Sequence, residues 1–136
     1  MQNSSPSRQR ILIVDDERSI ADTLAIILSN AGYDASAAYS GDSAVAAARM
    51  ITPALIVSDI QMPGMDGISA AIEIRKLLPE CHVILFSGYP ETHMQRARDN
   101  GFSILSKPLS PQTLLNHIRT ALQGRVKRTS AGSPEI

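Results

Sequence analysis

Four short stretches hold residues that could do chemistry together: Asp15-Asp16, Asp59, Ser87 and Lys107. Each closes or follows an apolar run, in turn Ile11-Leu12-Ile13-Val14, Ala54-Leu55-Ile56-Val57, Val83-Ile84-Leu85-Phe86 and Phe102 to Ser106. Carboxylates brought close together repel unless a positive charge lies among them. A divalent ion is the simplest remedy. An all-oxygen donor set without Cys or His suits Mg²⁺, which keeps some of its waters. The same residue types suit phosphoryl transfer, which needs an in-line nucleophile and neutralised equatorial oxygens. Asp59 is the candidate acceptor.

These residues need a scaffold that brings four chain segments to one place. The unbroken apolar runs read as strands buried on both faces. Tyr33 to Tyr39 is a weaker, alanine-rich strand. Between the strands, apolar residues recur at helical spacing: Ile20, Leu24, Ile27, Leu28; Ala44, Ala48, Ile51; Ile68, Ala71, Ile74, Leu78; Leu115, Ile118, Leu122. The segment from Pro90 to Asn100 is polar, with Met94 and Ala97 as its apolar contacts. Ser40, Asp66 and Ser110-Pro111 are helix starts; Gly32, Pro53, Pro79, Asn100-Gly101 and Gly124 are stops.

Five strands alternating with five helices predict an α/β fold. It is a doubly wound parallel sheet with right-handed crossovers. In such a sheet every strand C-terminus lies at one edge, where open α/β folds place their sites. If the first and third strands are neighbours, about 4.8 Å apart, Asp15, Asp16 and Asp59 converge.

Composition narrows the function classes. The 136 residues are 43% hydrophobic, enough for one domain with a real core. The formal net charge is zero, which gives no general affinity for nucleic acid, and Arg125, Lys127 and Arg128 are too few for a basic patch. Residues 11–123 hold 8 basic and 12 acidic side chains, a mildly acidic body suited to binding a cation. The lone Cys81 rules out an intrachain disulfide and fits a reducing cytoplasm. It reads as a small buried residue. His82, His93 and His117 lack metal-ligand spacing. No signal peptide or membrane span is expected. The expected organisation is a disordered tail over 1–9, one domain over 10–124 and a polar tail over 125–136.

Taken together, Asp15-Asp16, Asp59 with its sequel Met62-Pro63-Gly64-Met65-Asp66-Gly67, Ser87-Gly88 and Lys107-Pro108 resemble the receiver domain of two-component response regulators. The resemblance covers roughly residues 10–123. It implies a flavodoxin-like sheet of strand order 2-1-3-4-5. It implies that Asp59 takes a phosphoryl group from a phosphohistidine on a sensor histidine kinase. Asp16 then binds Mg²⁺ directly, Asp15 largely through water, and the backbone carbonyl of Gln61 completes the protein ligands. Lys107 pairs with the carboxylate and later with the phosphoryl oxygens, Ser87 donates its hydroxyl to that group, and the Lys107–Pro108 bond is cis.

Two positions depart from the pattern. The strand-five residue three before Lys107, usually aromatic, is Ile104. Tyr89, two residues after Ser87, is bulky and is expected to slow hydrolysis of the phosphoaspartate. The reading is therefore a switch rather than an enzyme. It signals by contact with an output protein or a missing effector domain, through the face of the fourth helix, fifth strand and fifth helix. A monomer or weak dimer in the cytoplasm is expected. A phosphorelay shuttle and an N-terminal fragment of a longer regulator are the alternatives. A HAD-type aspartyl-phosphate hydrolase would usually carry a general-acid Asp where Gln61 stands. A nucleotide-binding protein would need a glycine-rich cradle where Asp15-Asp16-Glu17 stands.

Overall fold

Successive residues of a strand point to opposite faces. Here both sets are apolar, so both faces of the sheet must be covered. Ile11, Ile13, Leu55, Val57, Ile84 and Phe86 project into one core; Leu12, Val14, Ile56, Val83 and Leu85 project into the other. The computed structural model describes residues 8–131, with side chains as far as Gln123. Its elements alternate: β1 (Arg10–Val14), α1 (Arg18–Asn30), β2 (Asp34–Ala38), α2 (Gly41–Ile51), β3 (Leu55–Asp59), α3 (Gly67–Leu77), β4 (His82–Ser87), α4 (Pro90–Asp99), β5 (Ser103–Ser106) and α5 (Pro111–Ala131). All strand pairs are parallel, in the order β2-β1-β3-β4-β5. This is the expected order, and it makes β1 and β3 neighbours.

Helices α1 and α5 cover the first face through Ala21, Leu24, Leu28, Leu114, Ile118 and Leu122. Helices α2, α3 and α4 cover the second, α4 through Ala97 alone among its buried residues. The starts follow the expected chemistry. Ser40 Oγ accepts from the Ser43 N–H at 3.0 Å, Asp66 Oδ1 from the Ser69 N–H at 2.8 Å, and Ser110 Oγ from the Thr113 N–H at 3.0 Å. Each satisfies an N–H that the helix itself leaves open.

Three expectations need correction. Helix α5 does not stop at Gly124 but runs to Ala131. An interior glycine costs only about 1 kcal/mol relative to alanine, and Arg125 to Ser130 contains no breaker. The expected polar tail over 125–136 is thus largely helix; residues 132–136, like residues 1–7 of the expected N-terminal tail, lie outside the described residues. In the same helix Leu114, not Leu115, is the fully buried residue. The i, i+4, i+8 row toward the sheet is 114, 118 and 122, with Leu115 on its flank. Met94 is 40% exposed, so it is not the inward contact expected of α4. Cys81 is buried as expected, and burial pushes its thiol pKa up to about 11.

Candidate functional site

The C-terminal edge of the sheet gathers the predicted residues. Asp59 is the last residue of β3, Ser87 the last of β4; Asp15 directly follows β1 and Lys107 directly follows β5. Ladder hydrogen bonds extend past the strand ends and fix them: Asp15 N donates to Ala38 O, Ile60 N to Phe86 O, and Lys107 N to Ser87 O.

The acids converge as expected. One carboxylate oxygen from each of Asp15, Asp16 and Asp59 lies within 4.8 Å of the others. Asp15 and Asp59 are buried, whereas Asp16 is exposed and opens the cluster to solvent. Asp15 Oδ1 accepts from the Glu17 N–H at 2.9 Å, but Asp15 Oδ2 is buried and has no hydrogen-bond partner. A buried carboxylate oxygen of this kind calls for a partner. Burial pushes the Asp15 carboxyl up to about 6, aided by the nearby Asp59 and opposed by the Glu17 N–H. Burial also raises Asp59, and Lys107 opposes it. A hard cation among these oxygens would supply what both acids lack, so the donor set fits Mg²⁺.

Lys107 Nζ stands 3.3 Å from Asp59 Oδ1. The Lys107–Pro108 peptide is cis, as expected. Ser87 is buried, and its Oγ accepts from the Tyr89 N–H at 2.9 Å. Gln61 lies in the loop between β3 and α3 and is exposed. Tyr89 is 63% exposed and projects from the rim. Ile104 is half-buried on β5 beside the second core.

Several contacts had no local signal in the sequence. A Cβ on Gly67 would fall 2.1 Å from the Asp59 carbonyl oxygen, so α3 can begin against Asp59 only without a side chain there. Arg96 of α4 reaches across to the start of α3: Nη1 donates to Asp66 Oδ2 and Nη2 to Ser69 Oγ, each at 2.7 Å. Burial works against the Asp66 charge, but the bonds from Arg96 and the Ser69 N–H outweigh it and hold the carboxyl below its usual range. The Lys107 ammonium also lies 5.4 Å from the centroid of the Phe86 ring.

Residues 11–119 match the family described as the response regulator receiver domain. The chain belongs to that family. Relatives of the receiver domain include the DNA-binding response regulator MtrA of Mycolicibacterium paratuberculosis. It is 32% identical over 117 residues, which is 85% of this chain and 52% of MtrA. The receiver thus spans about half the length of the curated relatives it matches first. Among solved structures, a CheY-like response regulator receiver domain protein from Methanospirillum hungatei is 30% identical. That match has a TM-score of 0.84 and covers 90% of this chain and 99% of the other. The Vibrio cholerae chemotaxis protein CheY4 is 28% identical with a TM-score of 0.78, covering 85% and 99%. A receiver domain is a signalling domain. Among the described residues, no helix is long and apolar enough to cross a membrane.

Proposed function

We propose that this receiver accepts a phosphoryl group on Asp59 from a phosphohistidine of a sensor histidine kinase, with Mg²⁺ bound, and passes the signal on by protein contact. One observation carries the reading: a buried carboxylate has a lysine ammonium at 3.3 Å and a second buried acid, with an unpartnered oxygen, beside it. In the transfer, an Asp59 oxygen bonds to phosphorus as the phosphorus–nitrogen bond breaks, and that bond's electron pair stays on the kinase imidazole. Asp15, Asp16, Asp59 and the Gln61 backbone carbonyl would hold the metal. When bound, Mg²⁺ offsets the charge of the phosphoryl oxygens. Lys107 needs little movement to pair with those oxygens, which strengthens a site built for charge. Ser87 gives up the Tyr89 N–H and turns its hydroxyl to the new group. A phosphoryl group adds roughly −1.5 to −2 charge units, enough to reorder a neighbouring loop.

With Ile104 in place of an aromatic, the rearrangement passes through Ser87, Tyr89 and α4, and output uses the face of α4, β5 and α5. On this reading the domain works in the cytoplasm as a monomer or weak dimer, and promotes its own phosphorylation and dephosphorylation. Its output is a separate protein or an effector domain of a longer regulator; a phosphorelay shuttle uses the same chemistry.

The test is intact-mass spectrometry after incubation with acetyl phosphate, with and without Mg²⁺, on wild type and Asp59→Asn. One phosphoryl group should be retained per chain only when Mg²⁺ and Asp59 are both present. Continuous turnover of the donor with no retained adduct would point to the HAD-type hydrolase. An adduct of equal yield on Asp59→Asn would refute the assignment.

A further inference from the structure

Parallel pairing sets Phe86 of β4 in register with Asp59 of β3. Partners in register project from the same face, so the ring and the carboxylate stand side by side on the α1 and α5 side of the sheet. Phe86 packs there with Val57, Ile13 and Leu24, and is only 2% exposed. The Ile60 N–H donates to the Phe86 carbonyl at 3.1 Å and fastens the two strands where the acceptor stands.

Lys107 approaches from the far side. It follows β5, which pairs with β4 and not with β3. To reach Asp59 its side chain must cross β4, and it crosses at Phe86. Nζ sits 5.4 Å from the ring centroid while it pairs with Asp59. Lys107 also has somewhere else to go. It borders a cleft of about 550 Å³ between α1 and the chain after β5; Phe86 forms one wall of it, and Glu17, Ile20, Leu24 and Leu109 form others. Glu17 there is a second carboxylate that an ammonium could face.

We propose that Phe86 is a positioning residue for phosphoryl transfer: its ring face, one wall of that cleft, is the seat that keeps the Lys107 ammonium at Asp59 and away from the Glu17 side. The negative face of an aromatic ring attracts a cation within about 6 Å. A leucine at 86 would keep the apolar floor but lose that face. Lys107 would then divide its time between Asp59, the Glu17 side and water. The inference rests on the reading of Asp59 as the acceptor, and the experiment separates the two.

Phe86→Leu and Phe86→Tyr are made in the full chain, each with Lys107 and with Lys107→Ala. Phosphorylation by acetyl phosphate and Mg²⁺ is timed by mass spectrometry. NMR of ¹³C-labelled lysine reads the ε-methylene of Lys107, whose protons over a ring face should be shifted upfield. Phe86→Leu should remove that shift and slow phosphorylation by about three- to tenfold, the range expected for one cation–ring contact. Phe86→Tyr should keep both the shift and the rate. In the Lys107→Ala background, Phe86→Leu should change the rate by less than about twofold, because the partner is gone. An equal slowing in that background would mean that Phe86 acts through general packing, and would overturn the proposal. So would a wild-type Lys107 signal without an upfield shift, a measurement that needs no variant to fold. Failure of the wild type to accept a phosphoryl group would sink the acceptor reading instead, leaving the lysine signal to decide the seat.

Discussion

Replacing Asp15 by Asn should make the metal-free protein more stable at neutral pH, although Asp15 lies at the centre of the site. Asp15 is fully buried, and its carboxyl is pushed from 3.8 up to about 6. A folded-state pKa raised above the unfolded value means that the fold prefers the neutral acid. Stability from this group is therefore complete below about pH 4 and is lost as pH rises through about 6. Above that, keeping the buried carboxylate ionised costs roughly 3 kcal/mol. Asparagine removes the charge and keeps an oxygen for the Glu17 N–H. Its amide nitrogen takes the place of the unpartnered Oδ2, and an unsatisfied polar group costs about 1–3 kcal/mol. The net expectation is a gain of up to about 2 kcal/mol. Urea unfolding in chelator at pH 7.5 and at pH 4.5 measures it. The gain should appear at the higher pH and vanish at the lower. Added Mg²⁺ should stabilise the wild type much more than the variant, since binding only the folded state adds to its stability. An Asp15→Asn protein less stable than wild type at pH 7.5, or a difference that ignores pH, would refute the reasoning.

Gly67→Ala should cost at least about 1–3 kcal/mol, the usual range for overpacking, because the new methyl meets the backbone of Asp59 rather than a side chain that can move; thermal melts check this, and acetyl phosphate labelling should fall with them. Arg96→Ala should free the Asp66 carboxyl to return toward its ordinary pKa and speed amide exchange in α4, as read by NMR titration and hydrogen exchange. Because that carboxyl is held low, the stabilisation from the Arg96 contact should be present at neutral pH and fade as the solution is acidified through the Asp66 pKa. Tyr89→Ala should shorten the half-life of the phosphorylated form by admitting water past the rim; an unchanged decay rate would mean that the exposed ring shields nothing.

Much of the scaffold was legible because its signals are local. Four apolar runs and their polar closures mark strands β1, β3, β4 and β5, and Ser40, Asp66 and Ser110 announce helices in their own first turns. β2 gave a weaker signal, an alanine-rich stretch from Tyr33 to Tyr39 bounded by Gly32 and Ser40. What could not be read locally is adjacency. That Asp15 and Asp59 meet depends on β1 lying beside β3, which the periodicity of neither strand encodes; the family resemblance supplied it. Arg96 and Asp66 are thirty residues apart, and nothing in either helix names the other. Lys107 over Phe86 is the same kind of contact, set by a strand pairing. The end of α5 was missed for another reason. Glycine is a stop only when the residues beyond it have somewhere better to go, and here they continue the helix.

The thin attachment of α4 has a consequence of its own. A helix that buries only Ala97 gives up little apolar area if it slides or tilts, so displacing it disturbs the second core at one small side chain. Its position rests instead on a few polar contacts, one at Tyr89 and a pair at Arg96, which can be exchanged for others of similar strength. The domain thus keeps a rigid frame and one loosely moored wall. A single charge arriving at Asp59 would have to outbid only the mooring.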